Sequence, residues 1–204
     1  MEFSPERQGA GKWLRPRSIE EIQISHSSTP GEASYAERLT TNLSISKVGP
    51  EAEFVLRNLF EHYLHDMSEW FEIDTKADGS YSYDTSSIWR DGYEAYLANV
   101  GDSITGFALV GSAAEWLGDI GAGDVHEFFV LRRFRRSGIG QRMATLLWNE
   151  RPGEWLVRVL EANVPALPFW RSTISIYSGG GYKDEERVIN GRAWRFFRFV
   201  SNGA

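Results

Sequence analysis

Residues His126–Arg142 read HEFFVLRRFRRSGIGQR, and the fold and chemistry of the chain turn on how that stretch is read. Phe128, Phe129, Val130 and Leu131 form an apolar run with strand character, which passes without a proline into Arg132, Arg133, Arg135 and Arg136. Beyond Ser137, Gly138, Ile139 and Gly140, the residues Met143, Ala144, Leu146, Leu147 and Trp148 recur at helical spacing, so the glycines mark a strand-to-helix junction. The first N–H groups of a helix have no intrahelical partner and the dipole there is positive, so such a junction attracts anions. Glycine at 138 and 140 lets a bulky anion approach the backbone, since no Cβ intervenes. Five arginines between positions 132 and 142 add charge of the same sign. The junction therefore reads as a pocket for a phosphate or pyrophosphate; a plain helix start with a solvated basic face is the alternative. A P-loop is excluded because no Gly-Lys-Ser/Thr follows, and the three-glycine dinucleotide fingerprint is incomplete.

The surrounding chain is of ordinary globular character. Its 204 residues suffice for one domain with a substantial core, and 42% hydrophobic with 25% charged residues rules out disorder throughout. The net charge of −6 argues against general nucleic-acid binding and makes the arginine cluster a local, specific anion site. Without cysteine there is no disulfide, no thiolate metal site and no cysteine-bound acyl group. No apolar run approaches the ~20 residues needed to cross a bilayer, and the first residues lack the apolar core of a signal peptide, which predicts a soluble cytoplasmic protein with no membrane partner.

Residues 1–40 show little periodicity and read as an irregular extension, with the folded domain over 41–204. The alternation from Thr41 to Val48 predicts a half-buried strand, and Pro50 opens a long helix whose apolar side carries Leu56, Leu59, Phe60, Tyr63 and Leu64. His62 and His65 have a spacing that metal ligands use, but no third ligand follows, and no metal is expected. The acidic and aromatic residues between His62 and Trp89 suit the mouth of a site for a cationic amine, or equally a solvated loop with packed tyrosines. Tyr93–Ala98 and Ser103–Gly111 form a hairpin about Gly101-Asp102, followed by a loop over 113–124. Strand 124–131, helix 141–150 and strand 155–160 imply one parallel pair in an otherwise antiparallel sheet. Ala193–Val200 supplies a final aromatic strand.

Two motifs in this framework resemble the GNAT superfamily of acyl-CoA-dependent N-acyltransferases. Arg135-Arg136-Ser137-Gly138-Ile139-Gly140 is similar to its Arg/Gln-x-x-Gly-x-Gly/Ala signature, and Asn163, Ala166 and Phe169 match its Asn-x-x-Ala-x-x-Phe-Tyr run, with Trp170 where the family has tyrosine. Gly181-Tyr182 resembles the Gly-Phe pair that opens the family's sixth strand. The resemblance spans roughly residues 41–200. It implies an α+β fold with a mixed, mostly antiparallel central sheet flanked by helices, whose parallel fourth and fifth strands splay around the coenzyme.

Carried over residue by residue, the resemblance puts the backbone of Phe129, Val130 and Leu131 on the pantetheine arm and Arg135, Arg136, Ser137, Gly138, Ile139, Gly140 and Gln141 on the pyrophosphate. Arg132 and Arg142 fall on the adenosine side, and Asn163 and Trp170 line the coenzyme. Glu127 interrupts an apolar run beside the expected thioester position, where burial raises a carboxyl's pKa and suits it as a base. His126 is the second choice; strict alternation turns it to the opposite face unless a bulge intervenes. For each, a structural alternative remains: an ion pair for Glu127 and a packed, hydrogen-bonded ring for His126. An indole N–H is no general acid, so Tyr177 or another phenol, or water, must protonate the departing thiolate.

The resemblance thus implies an acetyl-CoA-dependent N-acetyltransferase in which a primary amine of a small molecule attacks directly, with acetyl-CoA as acyl donor. A protein or peptide amine is the rival acceptor, and a non-catalytic acyl-CoA-binding regulatory module the rival class. A nucleic-acid partner is not expected, and a homodimer is left open.

Overall fold

Apolar alternation and turn chemistry translate directly into strands. The computed structural model describes residues 39–81 and 83–203, so the expected irregular extension lies outside the described residues but for its last positions, where 39–41 make a helical turn and Leu39 is buried. Strand β1 (Leu43–Val48) is followed by a 3-10 turn at Pro50 and by helix α1 (Glu53–Met67), which buries Leu56, Leu59, Phe60 and Leu64 along one stripe. A single helical turn, α2 (Ser87–Arg90), leads into the hairpin of β2 (Glu94–Val100) and β3 (Ser103–Ser112). Its two-residue loop carries Gly101 at φ 56°, and Val100 faces Ser103 across it.

The stretch 113–124, expected to be a loop, contains a further helical turn, α3 (Ala114–Leu117), ended by Gly118 at φ 73°. It is drawn inward by burial: Ala113 and Ala122 pack with Leu156 and Phe196, and Trp116 meets Phe196 edge-on with ring centroids 5.6 Å apart. Strand β4 (Gly123–Val130), helix α4 (Ile139–Asn149), strand β5 (Gly153–Leu160) and helix α5 (Ala166–Ser178) follow. Strands β6 (Tyr182–Ile189) and β7 (Arg192–Ser201) close the chain as a hairpin.

The seven strands lie in the order β1-β2-β3-β4-β5-β7-β6. Every neighbouring pair is antiparallel except β4 and β5, which are parallel as the intervening helix requires. One face of the sheet is covered by α4 and α5 over Ala108, Val110, Val125, Val157 and Phe197, with Trp148 fully buried among Trp170, Tyr177 and Phe199. The other is covered by α1 and α2 over Leu97, Phe107, Leu109 and Phe129. Among the described residues no helix is long and apolar enough to cross a membrane.

Candidate active site

The parallel pairing of β4 with β5 is short. It joins Gly123 to Trp155, Asp124 to Leu156 and Val125 to Val157, although β4 continues to Val130 and β5 to Leu160. The strands therefore part at His126. On its other side β4 stays bonded to β3, and the Leu131 N–H donates to Thr105 O at 2.8 Å. Ladder bonds of an antiparallel pair alternate, so Glu127, Phe129 and Leu131 bond toward β3 while the N–H and C=O of Phe128 and Val130 turn toward the opening gap.

At the same point the β3–β4 register shifts: Leu109 faces Glu127, but Val110 faces Val125, leaving His126 as the extra residue of a β-bulge. Its effect shows in the packing. Val125 and Phe128 both pack toward α4 and α5, with two residues between them rather than one, so His126 and Glu127 both turn to the α1 face. Strict alternation would have separated them. The bulge is the exception the sequence reading allowed for, and it brings both candidate bases to one face.

Glu127 is enclosed by protein on nearly all sides while part of its side chain still reaches solvent. Its Oε2 accepts a hydrogen bond from the Tyr63 hydroxyl of α1. Burial pushes the Glu127 carboxyl above the usual range; the Tyr63 hydrogen bond and the positive field of His126 and Arg158 oppose this only in part. Burial, reinforced by the carboxylate, holds the Tyr63 hydroxyl well above an ordinary phenol, and the same causes push Tyr83 up to about 12. Tyr83 stacks on Phe60 with ring centroids 4.0 Å apart, and Tyr63 meets Phe107 and Phe129 edge-on. The carboxylate thus sits beside the Tyr63 hydroxyl, whose ring is packed among aromatic side chains.

His126 is held from the other side. Its ring lies against Tyr93 with centroids 4.5 Å apart, and its Nδ1 is 3.3 Å from Arg158 Nη2. Arg158, on the β5 edge of the split, donates from Nε at 3.2 Å and Nη2 at 2.5 Å to the buried Asp124 and stacks over Trp116 at 4.8 Å. A buried carboxylate and a guanidinium joined by two bonds satisfy each other, and so lock both walls of the gap where it begins.

Past Val130 the chain makes a 3-10 turn (Arg132–Phe134), and Ser137 Oγ donates to Phe134 O at 2.6 Å. Arg136 adopts φ 61°, and Gly138, the residue before α4, adopts φ 83°. The first bond within α4 runs from Arg142 N–H to Gly138 O at 3.0 Å, so the N–H groups of Ile139, Gly140 and Gln141 precede it, and no side chain caps this end. The two glycines serve different ends. Gly138 is needed for its left-handed backbone, whereas a Cβ at Gly140 would come within 3.1 Å of the Phe169 ring and 3.8 Å of Val130 Cγ2. Gly140 therefore permits close packing of α4 on α5 and β4, where the sequence suggested only anion access.

The arginines also divide. Arg135 donates from Nε to Val130 O at 2.7 Å and from Nη2 to Asp66 near the end of α1, with its guanidinium 5.4 Å over Phe129. Arg132 donates to the same Asp66, from Nε at 3.0 Å and also from Nη2. These two guanidinium groups, expected on phosphate and adenosine, both donate to a carboxylate on the α1 face. Asp66 partners were invisible in sequence because they lie more than sixty residues away.

Trp170 is buried against Phe128 and Phe169, each ring centroid 4.9 Å away, directly below the gap. The Asn163 carbonyl accepts the Ala166 N–H at 3.0 Å and so starts α5. The Tyr177 hydroxyl is committed elsewhere: it donates to Asn149 Oδ1 at 2.9 Å and lies 2.6 Å from Ser201 Oγ, on the face opposite Glu127. That position does not bring it to the reacting end of the gap. The phenol that does meet Glu127 is Tyr63, which sequence reading counted only as apolar helix surface. The signal was the need of a buried phenol for a hydrogen-bond partner, but its partner is distant in sequence. His65 Nδ1 lies 3.3 Å from the Tyr81 hydroxyl, and among the described residues no group of three His, Asp or Glu side chains gathers as metal ligands.

These features agree with the comparisons. The family model for the acetyltransferase (GNAT) family matches residues 59–173, more than half of the chain. Similar solved structures include the ribosomal-protein-S18-alanine N-acetyltransferase of Escherichia coli, at 12% identity over 79% of this chain and 96% of that one, with a TM-score of 0.53. The spermidine N-acetyltransferase of Vibrio cholerae, solved in complex with CoA and spermine, is 10% identical over 79% of this chain and 96% of that one, with a TM-score of 0.54. A Salmonella typhimurium protein described as a putative acetyltransferase, solved with its cofactor acetyl-CoA, is 13% identical over 80% and 96% of the two chains, with a TM-score of 0.53. At such identity these structures speak to the fold alone. A sequence search of curated proteins finds no match. With the parted parallel strands, the glycine turn and the matching family model together, the chain belongs to the GNAT family of acetyltransferases.

Proposed function

We propose that this acetyltransferase takes its acetyl group from acetyl-CoA and passes it to a primary amine of a small cationic molecule by direct attack, with Glu127 as base. The observation that carries this reading is the bulge at His126, which turns the Glu127 carboxylate to the α1 face at the point where β4 leaves β5.

The residues fit the donor. The backbone groups of Phe128 and Val130 face the gap unpaired by β5, as an amide-bearing pantetheine arm requires, though the Val130 carbonyl is shared with Arg135. The left-handed Gly138 and the N–H groups of Ile139, Gly140 and Gln141 suit a pyrophosphate at the start of α4, with the exposed Arg136 beside them. Trp170, Phe128 and Phe169 form an apolar floor.

When bound, acetyl-CoA supplies an activated thioester. The nitrogen of the amine forms the new bond to the acetyl carbon while the carbon–sulfur bond breaks. Glu127 takes the proton that the nitrogen loses, directly or through one water, and burial, by raising its pKa, makes it a stronger base than an exposed carboxylate. Tyr63 holds the carboxylate in place during the transfer. The N–H of Phe128 or Val130 steadies charge gathering on the carbonyl oxygen. A thiol's pKa of about 8.5 makes the sulfur a fair leaving group, so a water suffices to protonate it where Trp170 cannot.

The acceptor side favours a compact cation. A carboxylate bonded to Tyr63, with Tyr83 and Tyr93 in its field, attracts an ammonium group; one proton passes to water to free the nitrogen lone pair, and Glu127 takes the second as the amide bond forms. The test is thiol release from acetyl-CoA over a panel of primary amines, including polyamines, aryl-alkylamines and peptides with free N-termini. Acetylation of small amines with little activity on peptides is the expected result. Peptides as the preferred substrates would move the acceptor class, and no thiol release with any amine would defeat the proposal.

A further inference from the structure

We propose that Asp66 is a positioning residue for the coenzyme: from the end of α1 it fastens the segment that leads into the glycine turn, and so presets the turn for phosphate. This rests on the reading that residues 135–140 receive the coenzyme's pyrophosphate.

The segment from Arg132 to Gly138 is held by a small set of bonds. Ser137 Oγ to Phe134 O and Arg135 Nε to Val130 O are local, spanning three and five residues. Asp66 reaches across from another element, its Oδ1 taking both Arg132 Nε and Nη2 and its Oδ2 taking Arg135 Nη2. One carboxylate thus ties together two guanidinium groups three residues apart, one of which also caps the carbonyl at the end of β4. Asp66 is 13% exposed although Arg132 is 71% exposed, so the anchor is the better shielded half of the cluster. Its carboxyl is held below the usual range, because partial burial, which raises it, is outweighed by the two arginines.

The tie matters because of what it borders. Arg136 keeps a left-handed backbone, φ 61°, which disfavours a non-glycine residue unless its surroundings enforce it. Directly beyond lie Gly138 and the N–H groups that would meet the phosphates. A turn held in that shape before binding loses less entropy when the ligand arrives. The end of α1 is itself steadied: Phe71 lies against Trp194 of β7, ring centroids 6.4 Å apart, with Arg192 5.1 Å over Phe71. Asp66 therefore links a fixed helix end on the acceptor side to the donor loop.

This inference predicts a sign that simple charge counting reverses. Asp66 is an anion near an anion site, and as a mere source of repulsion its removal would tighten coenzyme binding. As a positioning residue, its removal loosens it. The experiment is calorimetric titration of the full chain with coenzyme A, comparing wild type, Asp66→Asn, Asp66→Glu, Arg132→Gln, the Asp66→Asn/Arg132→Gln double variant and Gly138→Glu. We expect Asp66→Asn to weaken binding roughly tenfold, within the usual range of coupling between sites, and Asp66→Glu to recover most of it. Arg132→Gln, at an exposed position that folding tolerates, weakens binding in the same direction. The double variant should be little worse than Asp66→Asn alone, because both act through one tie. In turnover, the KM for acetyl-CoA rises while kcat at saturation holds. Unchanged or tighter binding in Asp66→Asn, or strictly additive losses in the double variant, overturns the inference while leaving the coenzyme site standing. A wild type that does not bind, or binding that survives Gly138→Glu, overturns the coenzyme reading itself and this inference with it.

Discussion

The hydroxyl of Tyr63, on α1, donates to Oε2 of Glu127, on β4, joining residues 64 apart in sequence at the point where the central sheet opens. Neither residue is simply packed: the phenol lies among Phe60, Phe107 and Phe129, and the carboxylate occupies a site that burial makes unfavourable for charge. A carboxylate with a raised pKa in a cleft is the pattern of a functional group, and the proposed role has measurable consequences.

Glu127→Gln keeps the shape and the bond from Tyr63 but removes the base. We expect kcat to fall by about 10²–10⁴-fold, the usual contribution of general-base catalysis, with the KM for acetyl-CoA little changed. Steady-state rates with the best amine of the panel provide the check, and retained turnover would remove Glu127 from the chemistry.

The same substitution should stabilise the fold at neutral pH. Burial raises the carboxyl's pKa in the folded state, so the folded protein binds the proton more tightly than the unfolded chain. Stability is therefore fullest below the unfolded value of about 4.3 and declines as pH rises through the folded value. A neutral Gln escapes that decline. Thermal melts at pH 8 should show a higher Tm for Glu127→Gln than for wild type, with the gap closing toward pH 5; a lower Tm at pH 8 contradicts the account.

Tyr63→Phe removes a bond that favours the ionised carboxylate, so the Glu127 pKa rises further. The acid limb of the kcat–pH profile should move to higher pH relative to wild type. A purely structural role for Tyr63 predicts a lower plateau with the limb in place.

Tyr177→Phe tests the phenol that sequence placed near the coenzyme. Its hydroxyl donates to Asn149 Oδ1 and lies 2.6 Å from Ser201 Oγ, which is itself 2.8 Å from Trp148 O. Loss of these bonds should cost about 1–3 kcal/mol in a denaturant titration while kcat is retained. A large loss of kcat instead would return Tyr177 to the reaction.

Asp124→Asn leaves the Arg158 guanidinium without its buried counter-charge. Breaking a pair of this kind typically costs about 3–5 kcal/mol, which urea unfolding would register. Because Arg158 also borders His126, activity should fall with it.

What the sequence determined by itself was local. Apolar alternation, helical spacing, the Gly101-Asp102 turn and the run from Phe128 to Gly140 marked out the elements and the parallel crossover, because strands, turns and helices obey rules spanning a few residues. The carboxylate at 127 was legible too, as a charge in an apolar run. Only the tertiary structure decided which groups meet there. A single extra residue at 126 put His126 and Glu127 on one face, which depends on β3 pairing and not on β4 alone. Tyr63 became a partner of Glu127, Asp66 captured Arg132 and Arg135, and Tyr177 was drawn to Asn149 and Ser201, each through contacts with distant stretches of chain. Buried polar groups must find partners, but which partner is within reach is settled by packing across the whole sheet.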